Sequence, residues 1–294
     1  MIGATSPETL AWVEKHLPDG DRIDRVERLR GGWTSEMRRL HITGGRSLVL
    51  RSFVKPFYRR HAEGLLTREA DILTLLQNTD IPAATLHAVD ATAEHCAHPS
   101  LLMSLLPGTV RLADEHPDQL AEHLVKIHQL PVTDETRPRT YQPWTSPERV
   151  NVPEDTALWR RAVDVLRQDP PDYTGCFLHR DFHPGNVLFD GDRITGIVDW
   201  VETSWGPADL DVAHCSTTLA LLHGVDAGMS FADRYVTAGG RLTNDVYWRI
   251  LDALAFAPDA QKVAEPWREL GRTDLTPAVL TTRLENYLQA LLDG

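Results

Sequence analysis

The 294-residue chain contains no apolar run long enough to cross a bilayer. Its opening stretch, "MIGATSPETLAWVEKHLPDG", lacks the basic segment followed by an apolar core that marks a secretory leader. That stretch is expected to form a short amphipathic helix, capped by Ser6 or Thr9 and stopped near Pro18-Asp19-Gly20. Cysteine is scarce. Cys96, Cys176 and Cys215 are widely spaced and odd in number, which argues against a disulfide framework and fits a reducing cytoplasm. There is no Walker A loop, because no Gly-Lys-Ser/Thr follows a glycine turn. Internal repeats and low-complexity tracts are also missing.

A surplus of positive charge is missing too. The net charge is −12. Residues 1–100 carry 13 acidic and 13 basic side chains, so residues 101–294 hold 42 − 13 = 29 acidic against 30 − 13 = 17 basic. A nucleic-acid-binding protein would show a basic patch, so nucleic acid is not an expected partner. An acidic second half can attract a cationic small molecule or form a solvated surface. What remains, 42% hydrophobic and 24% charged residues, is the composition of a folded, soluble chain with one large domain or two ordinary ones.

The first hundred residues alternate as strands do. "RVERLRG", "MRRLHITGG" and "RSLVLRSF" read as an antiparallel meander with glycine turns, and "IPAATLHAVDA" and "SLLMSLL" as further short strands. Between them, Leu65, Glu69, Ile72 and Leu76 mark one face of a helix. After Pro107-Gly108 the texture turns helical, with stripes such as Leu120, Leu124 and Ile127. The proline-rich stretch 131–153 reads as a loop. The expected fold is α+β: a β-rich N-terminal region over 1–103, a hinge at 104–108 and a mostly helical region over 109–294.

Three places carry candidate chemistry. Glu69 lies on an apolar stripe and needs a cation, for which Arg51 at the end of "SLVLR" is the nearest candidate; otherwise Glu69 sits at the stripe's edge in water. The loop "LRGGWTSEM" can bring backbone N–H groups to phosphates, or can be a plain turn. The third is "FLHRDFHPGNVLFDGDRITGIVDW", in which Asp199 directly follows Ile197 and Val198. A buried carboxylate needs either a partner cation or a metal ion. The Asp190-Gly191 turn predicts a hairpin that brings Asn186 toward Asp199, two hard oxygen ligands suited to Mg²⁺. Asp181, near them but off the metal, can accept a proton from an attacking hydroxyl. His179, Asp181 and His183 also spell an H-x-D-x-H pattern, though no further histidine or cysteine pattern completes a zinc site.

"HRDFHPGN" followed by "GIVDW" resembles the catalytic loop and metal-binding segment of the aminoglycoside phosphotransferase and choline kinase-like family. The resemblance extends through "RGGWTSE", Arg51, Glu69, "LLMSLLPG" and "GPADLDVAH". It implies a bilobal protein-kinase-like fold and ATP- or GTP-dependent phosphoryl transfer to a small hydroxylated acceptor. By the same resemblance Asp181 is the base, and Asn186 and Asp199 are Mg²⁺ ligands. Arg51, paired with Glu69, takes the α/β-phosphates under the loop containing Gly31, Gly32, Thr34 and Ser35. Ser104 and Leu106 offer backbone groups to the adenine, and Asp211 braces the catalytic loop. Three departures stand out: arginine replaces the usual lysine at position 51; Arg180 replaces the glycine of His-Gly-Asp, where it is expected at the surface in preference to an additional anion contact; and "VDW" carries no glycine after the aspartate, so regulation by flipping of that segment is not implied. Only about ten residues separate Asp199 from "DLD", leaving no activation loop and favouring a small-molecule substrate over a protein. Acceptors left open are an aminoglycoside or other antibiotic, drawn by Glu202, Asp209 and Asp226, or a choline-, homoserine- or sugar-like metabolite. A nucleotide-binding pseudoenzyme and a metal-dependent hydrolase are the remote alternatives. Neither a membrane nor a particular oligomeric state is implied.

Overall fold

The structure is a computed structural model that describes residues 5–29, 34–152, 156–243, 245–258 and 260–294. Gly31, Gly32 and Trp33 lie outside the described residues. The chain divides into two compact units: residues 1–108 with Thr195–Val201, and residues 109–194 with 202–294.

In the first unit, α1 (Pro7–Lys15) begins at Ser6, whose side chain accepts the Thr9 backbone N–H. Next come β1 (Ile23–Arg28), β2 (Glu36–Ile42) and β3 (Ser47–Ser52). The short α2 (Pro56–Arg59) precedes α3 (Ala62–Leu76), and β4 (Leu86–Asp90) and β5 (Ser100–Ser104) follow. The five strands form one sheet in the order β1-β2-β3-β5-β4, antiparallel throughout. β3 is therefore central, and five of its six residues are buried. Alternation assigns them to two faces. Leu48 and Leu50 join Leu40, Ile42, Leu102, Trp12 and Val13 in an apolar core beneath α1. Val49 and Arg51 point the other way, toward α3, where Arg51 meets Glu69. The buried face of α3 carries Leu66, Glu69, Leu73 and Leu76, while Leu65 is only half-buried. Of the predicted stripe, Glu69, Ile72 and Leu76 are buried, and Leu66 takes the place expected of Leu65.

In the second unit, β6 (Thr109–Val110), α4 (Pro117–His128) and α5 (Ala157–Leu166) precede β7 (Gly175–Leu178). β8 (Val187–Asp190) and β9 (Arg193–Ile197), whose last three residues are counted with the first unit, flank the Asp190-Gly191 turn, where Gly191 takes φ +59°. This matches the predicted hairpin turn, since the left-handed region suits glycine. The strands run in the order β6-β8-β9. β10 (Ser204–Pro207) pairs antiparallel with β7.

Five helices complete the unit: α6 (Asp209–His223), α7 (Val225–Thr237), α8 (Tyr247–Ala255), α9 (Gln261–Glu269) and α10 (Pro277–Asp293). α6 is buried at every position from Asp209 to Leu222. A helix enclosed on all sides is a core helix, so its Asp209, Asp211 and His214 must find partners inside the protein. No described helix is long and apolar enough to cross a membrane. All three cysteines are free, two of them buried and Cys176 half-buried.

Candidate active site

In the second unit, β7 delivers the chain into His179-Arg180-Asp181. Arg180 takes φ +73°, a conformation that costs a non-glycine residue on the order of 1–3 kcal/mol and persists only where surroundings impose it. Asp211, on the first turn of α6, supplies that constraint. Its Oδ2 accepts the His179 backbone N–H at 2.8 Å and its Oδ1 accepts that of Arg180 at 2.7 Å. His128 on α4 lies 3.2 Å from the same Oδ2 through Nε2, and its Nδ1 lies 2.6 Å from the Tyr235 hydroxyl. Burial alone would push the Asp211 carboxyl upward; the bond from His128 and the positive groups around it outweigh that and hold it below the ordinary range.

Asp181, thus placed, keeps 29% of its side chain exposed. The Asn186 amide nitrogen donates to both its Oδ2 and its backbone carbonyl, at 2.9 Å each. His214 on α6 faces its Oδ1 at 3.1 Å through Nε2. The other ring nitrogen of His214 lies 3.0 Å from Asp252 Oδ1 on α8. Burial opposes the charge of both groups. The His214 bond and the nearby imidazoles nevertheless hold Asp181 well below the carboxylate range. Asp252 and Asp181 together push His214 up to about 10.

Asp181, His183 and His214 bring ligand atoms within 4.8 Å of one another, a grouping that could hold a metal. His183 argues against it. Its Nδ1 accepts the Gly185 backbone N–H at 3.0 Å, so in the neutral ring Nε2 carries the proton and has no lone pair for a metal. Gly185 is required there, because a Cβ would sit 2.6 Å from His183 Cε1.

Arg180 corrects an expectation. It is buried, with 3% of its surface exposed. Its guanidinium lies 4.2 Å over the Trp144 ring and donates to the Gln142 carbonyl at 3.2 Å. Trp144 itself is 37% exposed and meets His214 edge-on at 4.9 Å. The acidic residues expected to attract a cation are mostly committed elsewhere. Glu202 pairs with Arg139 at 2.8 Å. Asp209 is buried and accepts from the backbone and hydroxyl of Thr243. Asp226 alone of the three is exposed.

In the first unit, Arg51 and Glu69 are brought together at 2.8 Å, both side chains almost fully buried. Arg51 also reaches Ser35 Oγ through Nε at 3.0 Å and Thr34 Oγ1 through Nη2 at 3.4 Å. A further pairing was not apparent from the sequence. Both terminal nitrogens of Arg51 donate to Asp199 Oδ1 at 3.1 Å. The carboxylate after Ile197-Val198 therefore has a protein cation beside it. Burial alone would lower the Arg51 pKa, but Asp199 and Glu69 raise it, so it stays protonated. Asp199 sits at φ +66°.

Burial, and then the neighbouring Asp199, push the Glu69 carboxyl up against the hold of the Arg51 guanidinium. Among the described residues none donates a hydrogen bond to Asp199 Oδ2 or to Asn186 Oδ1. Each is a hard oxygen donor of the kind a divalent cation takes. Ser104 donates its backbone N–H to the Thr85 carbonyl at 2.9 Å; the N–H of half-buried Leu106 has no acceptor among the described residues. His128, His214 and Asp252 were not foreseen; the signal available was polar residues at "DLDVAH" inside an otherwise apolar helix.

A sequence profile of the phosphotransferase enzyme family matches residues 25–290. A comparison with curated protein sequences gives no match. Among solved structures, the chain is similar to a protein of Ralstonia eutropha JMP134 described as a candidate aminoglycoside phosphotransferase. They share 17% identity over 97% of this chain and 96% of that one, with a TM-score of 0.68. It is also similar to aminoglycoside phosphotransferase APH(4)-Ia in a complex with ADP and hygromycin B (18% identity, 98% of both chains, TM-score 0.64). A third similar structure is macrolide 2′-phosphotransferase MphH of Brachybacterium faecium (18% identity, 94% and 97%, TM-score 0.59). Identities this low establish a shared fold, the protein-kinase-like one, while the profile spans nine-tenths of the chain. The chain belongs to the phosphotransferase enzyme family.

Proposed function

We propose that the chain transfers the γ-phosphoryl group of ATP (or GTP) to a hydroxyl of a small molecule. Residues 1–103 form the nucleotide lobe, 104–108 the hinge and 109–294 the catalytic and acceptor lobe. The observation that carries this reading is Asp181: a carboxylate kept ionised, partly open to solvent and fixed on both oxygens by Asn186 and His214. Such a group orients an acceptor hydroxyl and takes its proton as the oxygen attacks phosphorus. The bond to the bridging oxygen then breaks and ADP leaves.

Arg51, held by Glu69, aligns the phosphates, and Gly31, Gly32, Thr34 and Ser35 are assigned to the nucleotide by the family resemblance. Thr34 and Ser35 act through their bonds to Arg51. Leu106 offers its N–H to the base and Ser104 its carbonyl. Asn186 and Asp199 are the magnesium ligands; the ion, when bound, would neutralise charge on the transferring phosphoryl group. The rest is positioning and electrostatics supplied by the chain.

The acceptor is a small hydroxylated compound. Aminoglycosides and other antibiotics are one class. A metabolite such as a choline-, homoserine- or sugar-like alcohol is the second; the commitment of Glu202 and Asp209 to partners within the protein favours the uncharged, sugar-like members over the cationic ones. ADP release with Mg²⁺ across a panel of hydroxylated compounds tests the proposal. Acceptor-dependent turnover should fall on the order of 10²–10⁴-fold in Asp181→Asn. Turnover unchanged by that substitution would remove Asp181 from the mechanism.

A further inference from the structure

A histidine at the centre of a fully buried helix needs a reason. His214 is 5% exposed, and an apolar side chain would fill its place between Trp144 and Phe256 without the cost of burying a polar ring. Both its nitrogens face carboxylate oxygens, Nδ1 toward Asp252 at 3.0 Å and Nε2 toward Asp181 at 3.1 Å. A neutral imidazole carries one donor and one acceptor nitrogen, so one contact would set a lone pair against a lone pair. Against two ionised carboxylates, only the doubly protonated ring satisfies both. Asp252, whose side chain is 2% exposed, has no other described hydrogen-bond partner and is itself buried for the sake of this contact.

We propose that His214 is a positioning residue for phosphoryl transfer: an imidazolium anchored by Asp252 that holds the Oδ1 edge of Asp181. With Asn186 on Oδ2, it fixes the carboxylate plane and leaves the remaining lone pairs to the acceptor hydroxyl. The inference rests on the reading of Asp181 given above. It makes Asp181 a weak, strictly aligned base, one that takes the proton late and acts mainly by orientation.

The groups facing this ring are Asp252 from α8, and Asp181 and His183 from the loop; His179 acts on Asp181, and Arg180 on both Asp181 and Asp252. Asp211 lies one turn away on α6 itself. Tyr287 of α10 faces Asp252, and Tyr235 of α7 faces His128 and Asp211. The carboxylates on the ring's own two nitrogens dominate this set.

The test begins with the free, full-length protein. Imidazole ¹⁵N shifts of His214, assigned by its loss in His214→Gln, should report a doubly protonated ring from pH 6 to 9. A neutral ring at pH 7.5 would overturn the proposal. Kinetics with Mg²⁺-ATP and the acceptor follow. His214→Leu leaves Asp252 buried without a cation and can fail to fold, so the pair is removed together as His214→Leu/Asp252→Leu. This double variant should keep the fold by circular dichroism and lose roughly ten- to a hundredfold in kcat, with KM for ATP within about threefold. His214→Gln, which retains a donor toward Asp181, should recover part of that loss. Asp252→Asn should introduce a fall in kcat as pH rises through a lowered His214 pKa, a titration the parent protein does not show below pH 9. A double variant within threefold of the parent in kcat overturns the positioning role if Asp181→Asn is inactive. If Asp181→Asn retains turnover, the reading beneath it falls as well.

Discussion

Arg51 is the residue on which most of the first unit's polar chemistry converges. It reaches Glu69, Asp199, Ser35 and Thr34 from one guanidinium, a geometry that a lysine ammonium, with three donors on a flexible stem, does not reproduce. Removing it strands a buried carboxylate. Arg51→Met should therefore destabilise by about 3–5 kcal/mol, read as a fall in the urea midpoint at constant m. Arg51→Met/Glu69→Leu should recover most of that stability while leaving phosphoryl transfer impaired. The Arg51–Glu69 pairing was legible because strand alternation and helix periodicity each assigned an inward face. Two other residues were not legible. Arg180 was placed at the surface by its residue type, and the ring beneath it, Trp144, comes from a proline-rich loop with no periodicity to read. His214 meets a partner 38 residues away, across an intervening helix, and no local pattern encodes that pairing.

α6 and α8 are joined through His214 and Asp252, and the pair makes stability depend on pH. The His214 pKa rises from the ordinary 6.5 to about 10 on folding. Between those values the folded state binds more protons than the unfolded one. The contribution is therefore complete below about pH 6.5 and declines as pH rises toward 10, by up to about 1.4 kcal/mol per pH unit. Melting curves between pH 6.5 and 8, before the cysteines titrate, should show this decline in the parent. His214→Leu/Asp252→Leu should flatten it. At this scale the sequence was largely readable. The β1–β2–β3 meander, the α3 stripe, the Ser6 cap and the Asp190-Gly191 turn depend on local rules of alternation, capping and turn chemistry. The strand order β3-β5-β4 depends on long-range pairing and does not follow from those rules.

For the whole molecule, the −12 net charge invites an electrostatic account of acceptor choice. The structure weakens it, because Glu202 has Arg139 and Asp209 has Thr243. Affinity for the preferred acceptor should change by less than about twofold between 50 and 500 mM salt, measured as Kd or KM. A tenfold weakening would restore attraction of a cation as the basis of selection. The family was legible from the linear motifs "HRDFHPGN" and "GIVDW" alone, although identity to the similar solved structures is only 17–18%. Acceptor identity was not, because His214 beside Asp181 and the rings packed on it, Trp144 and Phe256, come from three separate stretches of chain.

Asp211 and His214 are three residues apart on α6, one above the other on a single turn. The segment from His179 to Asp181 hangs from that turn by two backbone amides and one carboxylate. Hydrogen–deuterium exchange should reveal the consequence. The amides of His179 and Arg180 belong to a loop, yet their protons should exchange only when the whole unit unfolds, at the rate of the slowest amides in α6. The loop would then be as long-lived as the core, and its alignment would persist between turnovers without a bound nucleotide to impose it.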